Sequence, residues 1–240
     1  MKKTFVIFKK EFISYFNSPI AYVYLVVFLL AVNWSFFKNL YLMNTASMNQ
    51  FFSSLPWLFL FFVPAVSMRI WAEEKKSETI EVLLTLPVRD SQIVAGKFAA
   101  ALSFIVLSLL LTLPMAFTVS RIGNLDWGPV IGGYLAACLA GGAFLGIGMV
   151  ISCLTENQIV AFILSVAASF TMIIIGEPAI TMGIPQRLPW LITLLRYLGL
   201  NQHFESISRG VLDVRDLVYY SSLILFSLHL NILALSRRQS

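Results

Sequence analysis

The sequence predicts an all-α integral membrane protein with six transmembrane helices, and three observations carry that prediction. With 58% hydrophobic residues, 12% charged residues and a mean hydropathy of +0.83 over 240 residues, the chain holds more apolar side chain than one or two soluble cores can hide. Six apolar runs have the length, about 20 residues, that a helix needs to cross a hydrocarbon core of about 30 Å. Lys and Arg collect in alternate connections, as they do when loops alternate between the two sides of a bilayer. The composition excludes a disordered chain, a secreted disulfide scaffold and a soluble enzyme. It also makes the net charge of +5 a matter of loop bias rather than a nucleic-acid footprint.

The elements follow in order within a single domain, 1–240. Met1 to Phe12 is basic but has no small-residue cleavage pattern, so no removable signal peptide is expected. Over residues 2–17, Phe5, Phe8, Phe12 and Phe16 recur close to helical spacing, with Lys2, Lys3, Lys9 and Lys10 largely elsewhere. That pattern predicts an interfacial amphipathic helix, with a plain topology signal as the competing reading. Ser18 and Pro19 suit the cap and first position of the next helix. Spans are expected at about 20–40, 51–71, 93–119, 129–153, 159–176 and 217–235, with Pro64 and Pro114 as tolerated kinks. In the fourth span Gly132, Ala136 and Ala140 are spaced by four, as are Gly142 and Gly146. Such spacing lets helix backbones approach closely, within the chain or across a dimer. In the outer segment 177–216, Leu191, Leu194, Leu195 and Leu198 form a stripe beside Trp190 and Tyr197, and Gly199 and Gly210 punctuate it. One or two short interfacial helices are expected there. Phe36, Phe37, Trp57 and Trp71, near span ends, suit aromatic belts.

Six spans put both termini on one side. Lys2, Lys3, Lys9, Lys10, Arg69, Lys75, Lys76, Arg89, Lys97, Arg237 and Arg238 fall on that side, while the opposite short loops hold only Lys38 and Arg121 and the long outer segment, less informative by its length, carries Arg187, Arg196, Arg209 and Arg215. Both termini are therefore expected to be cytoplasmic.

Motifs for chemistry are mostly missing. Gly96–Lys97 lacks the upstream glycine of a phosphate loop, so this chain is not expected to hydrolyse ATP by itself. There is no His-Glu-x-x-His pair and no Gly-x-Ser-x-Gly elbow, and His203 and His229 fall on opposite sides of the last span. No catalytic residue and no metal site is expected. Cys138 and Cys153, separated by roughly 22 Å on one helix, read as packing residues. Asn33 and Glu177 read as structural polar groups, Asn33 bonded to a neighbouring helix and Glu177 set before Pro178 where the fifth span reaches the outer interface, and Arg209, Asp213 and Asp216 read as surface salt-bridge formers.

The informative segment is the connection Ala72 to Asp90. Glu73, Glu74, Lys75, Lys76, Glu78 and Glu81 occupy its first half, and Ile80, Val82, Leu83, Leu84 and Leu86 precede Pro87 in its second. A helix over about 72–87 would place Ile80, Leu83 and Leu84 on one face. A stiff two-faced helix between two spans suits docking of a cytosolic partner; a helix on the lipid surface is the alternative, disfavoured by the excess of Glu over Lys.

These residues resemble the signature of ABC-2 type transporter permeases, a cytoplasmic Glu-Glu-Arg/Lys-x-x-Gly-Thr-Ile/Leu-Glu-x-Leu-Leu-x-x-Pro. The matching positions are Glu73, Glu74, Lys75, Thr79, Ile80, Glu81, Leu83, Leu84 and Pro87. Glu78 stands where the family commonly has Gly, which favours a helix continuing through that point. Ser152 to Ala161 resembles the family's short cytoplasmic turn. Asn201 to Tyr219 resembles the outer segment of the branch containing the gliding-motility permease GldF and the permease of nitrous-oxide reductase maturation. The resemblance implies a non-catalytic permease subunit in a bacterial cytoplasmic membrane. It would pair with a second permease as homodimer or heterodimer and with two copies of a separate ABC ATPase that binds ATP and Mg, and it leaves room for an envelope or substrate-binding auxiliary protein. The implied function is ATP-driven export or movement of a cargo. The alternative is an energy-coupling scaffold of an envelope machine such as gliding motility, with no transported cargo. Membrane lipid, and no nucleic acid, is the expected surrounding partner.

Overall fold

Caps and prolines set the helix boundaries. The computed structural model describes residues 2–43, 48–81, 87–123, 125–181 and 189–236. Its elements are α1 (Lys2–Asn17), α2 (Pro19–Met43), α3 (Asn49–Ser67), α4 (Arg69–Lys76), α5 (Asp90–Leu110), α6 (Leu113–Ile122), α7 (Trp127–Leu154), α8 (Gln158–Ile174), α9 (Pro178–Thr181), α10 (Pro189–Leu198), α11 (Leu200–Ser208) and α12 (Val214–Ser236). Among the described residues, all regular structure is helical. The Asp126 carboxylate accepts from Gly128 N at 3.0 Å at the start of α7, and Asn157 Oδ1 accepts from Ile159 N at 2.9 Å at the start of α8. Each satisfies an amide that the helix itself leaves unpaired.

Among the described residues, five stretches are long and apolar enough to cross a membrane: Pro19–Lys38, Asn49–Lys76, Asp90–Arg121, Trp127–Leu154 and Val214–Ser236. The second joins α3 to α4 and the third joins α5 to α6. The run expected at 159–176 folds as the shorter apolar helix α8, of 17 residues. Asn157 fixes its start. Its end comes where Ile175 and Gly176 turn ahead of Pro178, which biases Glu177 away from helical backbone.

The central helix is α7, which packs most extensively against α12 and α3 and then against α11. Gly132, Ala136, Ala140, Gly142 and Gly146 are all buried inside the chain. A Cβ on Gly132 would lie 2.4 Å from the Ile207 carbonyl oxygen of α11, one on Gly142 would be 3.0 Å from Ile224 of α12, and one on Gly146 would be 2.9 Å from Ser227 of α12. Lipid tails are as apolar as leucine, so close backbone approach and dispersion hold such helices together where hydrophobic burial cannot. Large side chains on the rim, among them Val27 and Leu30 of α2, Ile163 of α8 and Phe226 of α12, point away from the protein.

Helix α1 covers the expected residues 2–17 and lies along α5. Its rings run Phe5–Phe8–Phe12–Phe16 with centroids 6.0, 5.7 and 5.1 Å apart, and Tyr15 stacks on Phe104 at 5.2 Å. The outer segment behaves unevenly: α10 buries none of its residues, whereas α11 buries Leu200, His203, Phe204 and Ile207 against the spans. Two expected belt aromatics, Trp71 and Phe36, are buried in the bundle, while Trp57 and Phe37 are exposed. Nearness to a span end does not say whether a ring faces lipid or protein.

The helix expected over 72–87 is interrupted. α4 ends at Lys76, Ser77 caps it, and Glu78 takes φ +57°, after which helical backbone resumes at 79–81. The Glu in place of Gly does not carry the helix through. The chain still turns through the left-handed conformation that glycine adopts most readily. Leu83 and Leu84 lie outside the described residues.

Candidate functional site

The break after Ser67 starts a new helix at Arg69, and a new helix has amides with no partner of its own. Ser152, near the end of α7, answers them: its Oγ accepts from Trp71 N and Ala72 N, both at 3.2 Å, and donates to Met68 O at 2.9 Å. In the other direction Lys75 Nζ donates to Cys153 O, where the last carbonyls of α7 lack intrahelical donors. One hydroxyl and one ammonium thus fasten the beginning and the end of α4 to α7.

Lys97 makes the second attachment. Seven residues into α5 and 2% exposed, its ammonium donates to Glu74 Oε1 at 2.7 Å, Glu11 Oε1 at 3.1 Å and Ile70 O at 3.3 Å. It also sits 5.1 Å from the centroid of the Trp71 ring. All three N–H donors are engaged, and α1, α4 and α5 meet at one charge. Arg69 forks onto both oxygens of Glu73 at 2.8 and 3.0 Å and reaches Ser18 Oγ at 3.2 Å, tying α4 to the joint between α1 and α2. Beneath these pairs lies a cavity of about 230 Å³. Burial, reinforced by the Glu11 carboxylate, pushes the Tyr15 phenol on its wall above the ordinary value, so that hydroxyl stays neutral and can donate.

The residues singled out in the 72–90 connection therefore divide. Glu73, Thr79, Glu81 and Pro87 are exposed, and the Pro87 carbonyl accepts from Lys3 Nζ. Glu74 turns inward to Lys97, Lys75 is buried at the end of α7, and Ile80 is 6% exposed, held by the chain's own core. Sequence reasoning missed Lys97, Glu11 and Ser152 as a group. The available signal was a lone lysine inside an apolar helical run, which in a membrane span calls for a partner.

A second polar cluster occupies the opposite end. His203 Nδ1 is 2.6 Å from Asp216 Oδ1, and its Nε2 is 2.8 Å from Tyr197 O. The Tyr197 carbonyl can only accept, so Nε2 is the donor to it. The ring stacks on Tyr219 at 4.0 Å, and Tyr219 donates to Leu198 O at 2.6 Å. Asp216 is thus a buried partner rather than a surface residue, whereas Arg209 pairs in the open with Glu205 at 3.2 Å and Asp213 accepts from Arg215 N at 2.9 Å. Glu177 accepts from Asn201 Nδ2 at 2.7 Å, whereas Asn33 donates to Leu29 O at 2.7 Å within α2 itself, not to a neighbouring helix as its sequence suggested.

What this arrangement offers is mechanical. Helix α4, fastened to α7, α1 and α5, is placed so that a displacement of it would reach several helices at once. The sequence profile of the family described as ABC-2 family transporter protein matches residues 9–235, which takes in both polar clusters and all of the membrane-spanning candidates but the final residue of the last. No curated protein matches the chain. With nearly its whole length matched, the chain belongs to the ABC-2 family of transporter proteins.

Proposed function

We propose that this protein is the membrane-spanning permease subunit of an ABC transporter, and that a separate ATPase chain, holding ATP and Mg, docks on the connection between α4 and α5. The observation that carries the reading is the fastening of α4. It exposes Glu73, and the chain just beyond it exposes Thr79 and Glu81, while Ser152, Lys75 and Lys97 tie its other side to α7, α5 and α1. ATP-driven closure of docked ATPases would push on α4 and shift the bundle between two populations, inward-open and outward-open.

Further parts of the reading follow from the family. ATP sites of ABC ATPases form between two subunits, so two permease chains, identical or different, pair in the complex. We take α8 as a short sixth span: 17 residues rise about 26 Å, near the lower limit for crossing. Both termini then face the cytoplasm of a bacterial cell, α1 lies in the inner interface, and α10 lies in the outer one. Residues 201–219 support kinship with the gliding-motility permease branch.

The test is purification of the chain from its native membrane with identification of the proteins that accompany it. An ATPase and a permease chain in equal numbers are expected. Leu83→Ala with Leu84→Ala should release the ATPase while membrane insertion persists, because burying a leucine at an interface is worth about 1.5–3 kcal/mol. Unchanged ATPase retention in that variant would overturn the docking site.

A further inference from the structure

Helix α10 buries none of its residues and packs against α9 and α11 more than against the spans. What fastens it is its last turn. His203 Nε2 donates to Tyr197 O at 2.8 Å, Tyr219 Oη donates to Leu198 O at 2.6 Å, and the Tyr197 ring stands edge-on to the rings of His203 and Tyr219 at 5.3 and 6.1 Å. Both carbonyls belong to a helix end, where intrahelical donors run out. The joint follows at once: Gly199 lies so close to Gly176 that a Cβ on it would be 2.5 Å from the Gly176 Cα. The base of α10 is pinned there, and the rest of the helix is a lever.

The bond between His203 Nδ1 and Asp216 Oδ1 at 2.6 Å needs a proton on one of those two atoms, and the bond to Tyr197 O needs another on Nε2. When one of the two protons leaves, a single N–H has two acceptors to serve. Asp216 keeps it. Its Oδ2 is buried without a hydrogen-bond partner, so among the described residues Nδ1 is the one partner of that carboxyl group. Stranding a buried carboxylate costs more than freeing a carbonyl on an exposed helix, where water can replace the lost donor. Tyr197 O then faces a bare Nε2, and the contact that ties α10 down becomes a repulsion.

The charges nearby are otherwise engaged or turned to solvent. Glu205 and Arg209 of α11 pair with each other, Asp213 accepts from Arg215 N, and Glu177 accepts from Asn201. Arg196 of α10 and Arg215 of α12 are exposed, and Tyr220 donates to Leu200 O at 3.1 Å. The other helices packed against α11 are α3, α7 and α8, which carry no Asp, Glu, Lys, Arg or His.

We propose that α10 is a proton-controlled flap on this end of the bundle, docked while the His203–Asp216 pair keeps both protons and released when one is lost. Falling pH docks it and rising pH frees it. The inference depends on neither the ATPase docking nor the cargo; the proposed topology adds only that the protons come from outside the cell.

The experiment is pulsed electron–electron distance measurement on the full chain in detergent, with Cys138→Ala and Cys153→Ala and nitroxide labels on Thr193→Cys of α10 and Val211→Cys, both exposed positions. The control pair is Arg121→Cys with Val211→Cys, which does not involve α10. Between about pH 5 and about pH 9, either side of the range in which histidine changes charge, the narrow distance peak of the first pair should lose about fivefold of its weight against the broad remainder, the scale of one hydrogen bond. The control pair should not change. Asp216→Asn should hold α10 docked at both pH values, because its amide donates to Nδ1 and leaves the neutral imidazole its Nε2–H for Tyr197 O; a pair that served only as packing would instead be loosened by that change. A distance distribution independent of pH, release of α10 on acidification, equal broadening of the control pair, or an Asp216→Asn variant that keeps the parent's pH dependence or is released throughout would each overturn the proposal. The parent titration decides the matter even where Asp216→Asn does not fold.

Discussion

Replacing Lys97 by Met tests the charge on which three helices converge. The methionine keeps most of the stem volume but removes the ammonium. Glu74 and Glu11, now 2.7 and 3.1 Å from Lys97 Nζ, would face each other with nothing between them, and the contact with the Trp71 ring would go as well. Breaking a buried ion pair by removing one partner costs about 3–5 kcal/mol. The two carboxylates keep 20% and 22% of their side-chain exposure and so recover some hydration, which places the expected loss near the lower end, about 3 kcal/mol. Equilibrium unfolding in mixed micelles measures it. A triple variant, Lys97→Met with Glu74→Met and Glu11→Leu, should return to within about 1 kcal/mol of the parent, because an apolar replacement of the whole cluster leaves no charge stranded. If Lys97→Met costs less than about 0.5 kcal/mol, or if the triple variant is no better than the single one, the ammonium does not hold these helices together.

Three further outcomes are expected. Glu78→Gly should stabilise the connection by about 0.5–1 kcal/mol, since a left-handed L-residue costs about 1–2 kcal/mol and the added chain entropy of glycine offsets part of the relief; slower amide exchange over 75–81 would register it, and faster exchange would refute it. Ser152→Ala should cost about 1–3 kcal/mol, because two buried amides of α4 lose their acceptor; a thermal shift in detergent, together with protease cleavage appearing near residue 72, is the readout. Gly132→Ala should loosen α11 from α7 at a cost of about 1–3 kcal/mol, because the new methyl meets a backbone oxygen that has no rotamer to escape into; it is read as labelling of a cysteine introduced at Ile207, now fully buried.

Much of the architecture is legible in the sequence because it depends on length and local chemistry alone. Apolar runs locate the membrane helices, Ser18 and Pro19 mark the joint between α1 and α2, and Asn157 and Pro178 bound α8. The family signature around Glu73 to Pro87 is equally local. Which way a residue faces is another matter. In a soluble helix the apolar stripe identifies the inward face, but lipid accepts the same side chains as the protein core, so periodicity in a span does not separate inside from outside. Trp71 and Phe36 illustrate this: both sit near span ends, and the bundle buries both. Ile80 likewise turns into the chain's own core, and Glu74 and Lys75, adjacent to exposed Glu73, are drawn inward by Lys97 and by the end of α7. The His203–Asp216 pair forms only because α11 is pressed against the start of α12. Composition and spacing by themselves determined a multi-pass helical protein with one charged connection. The pairing of buried charges, the left-handed turn at Glu78 and the cavity beneath Arg69 were decided by tertiary structure, because each depends on helices distant in sequence meeting at one place.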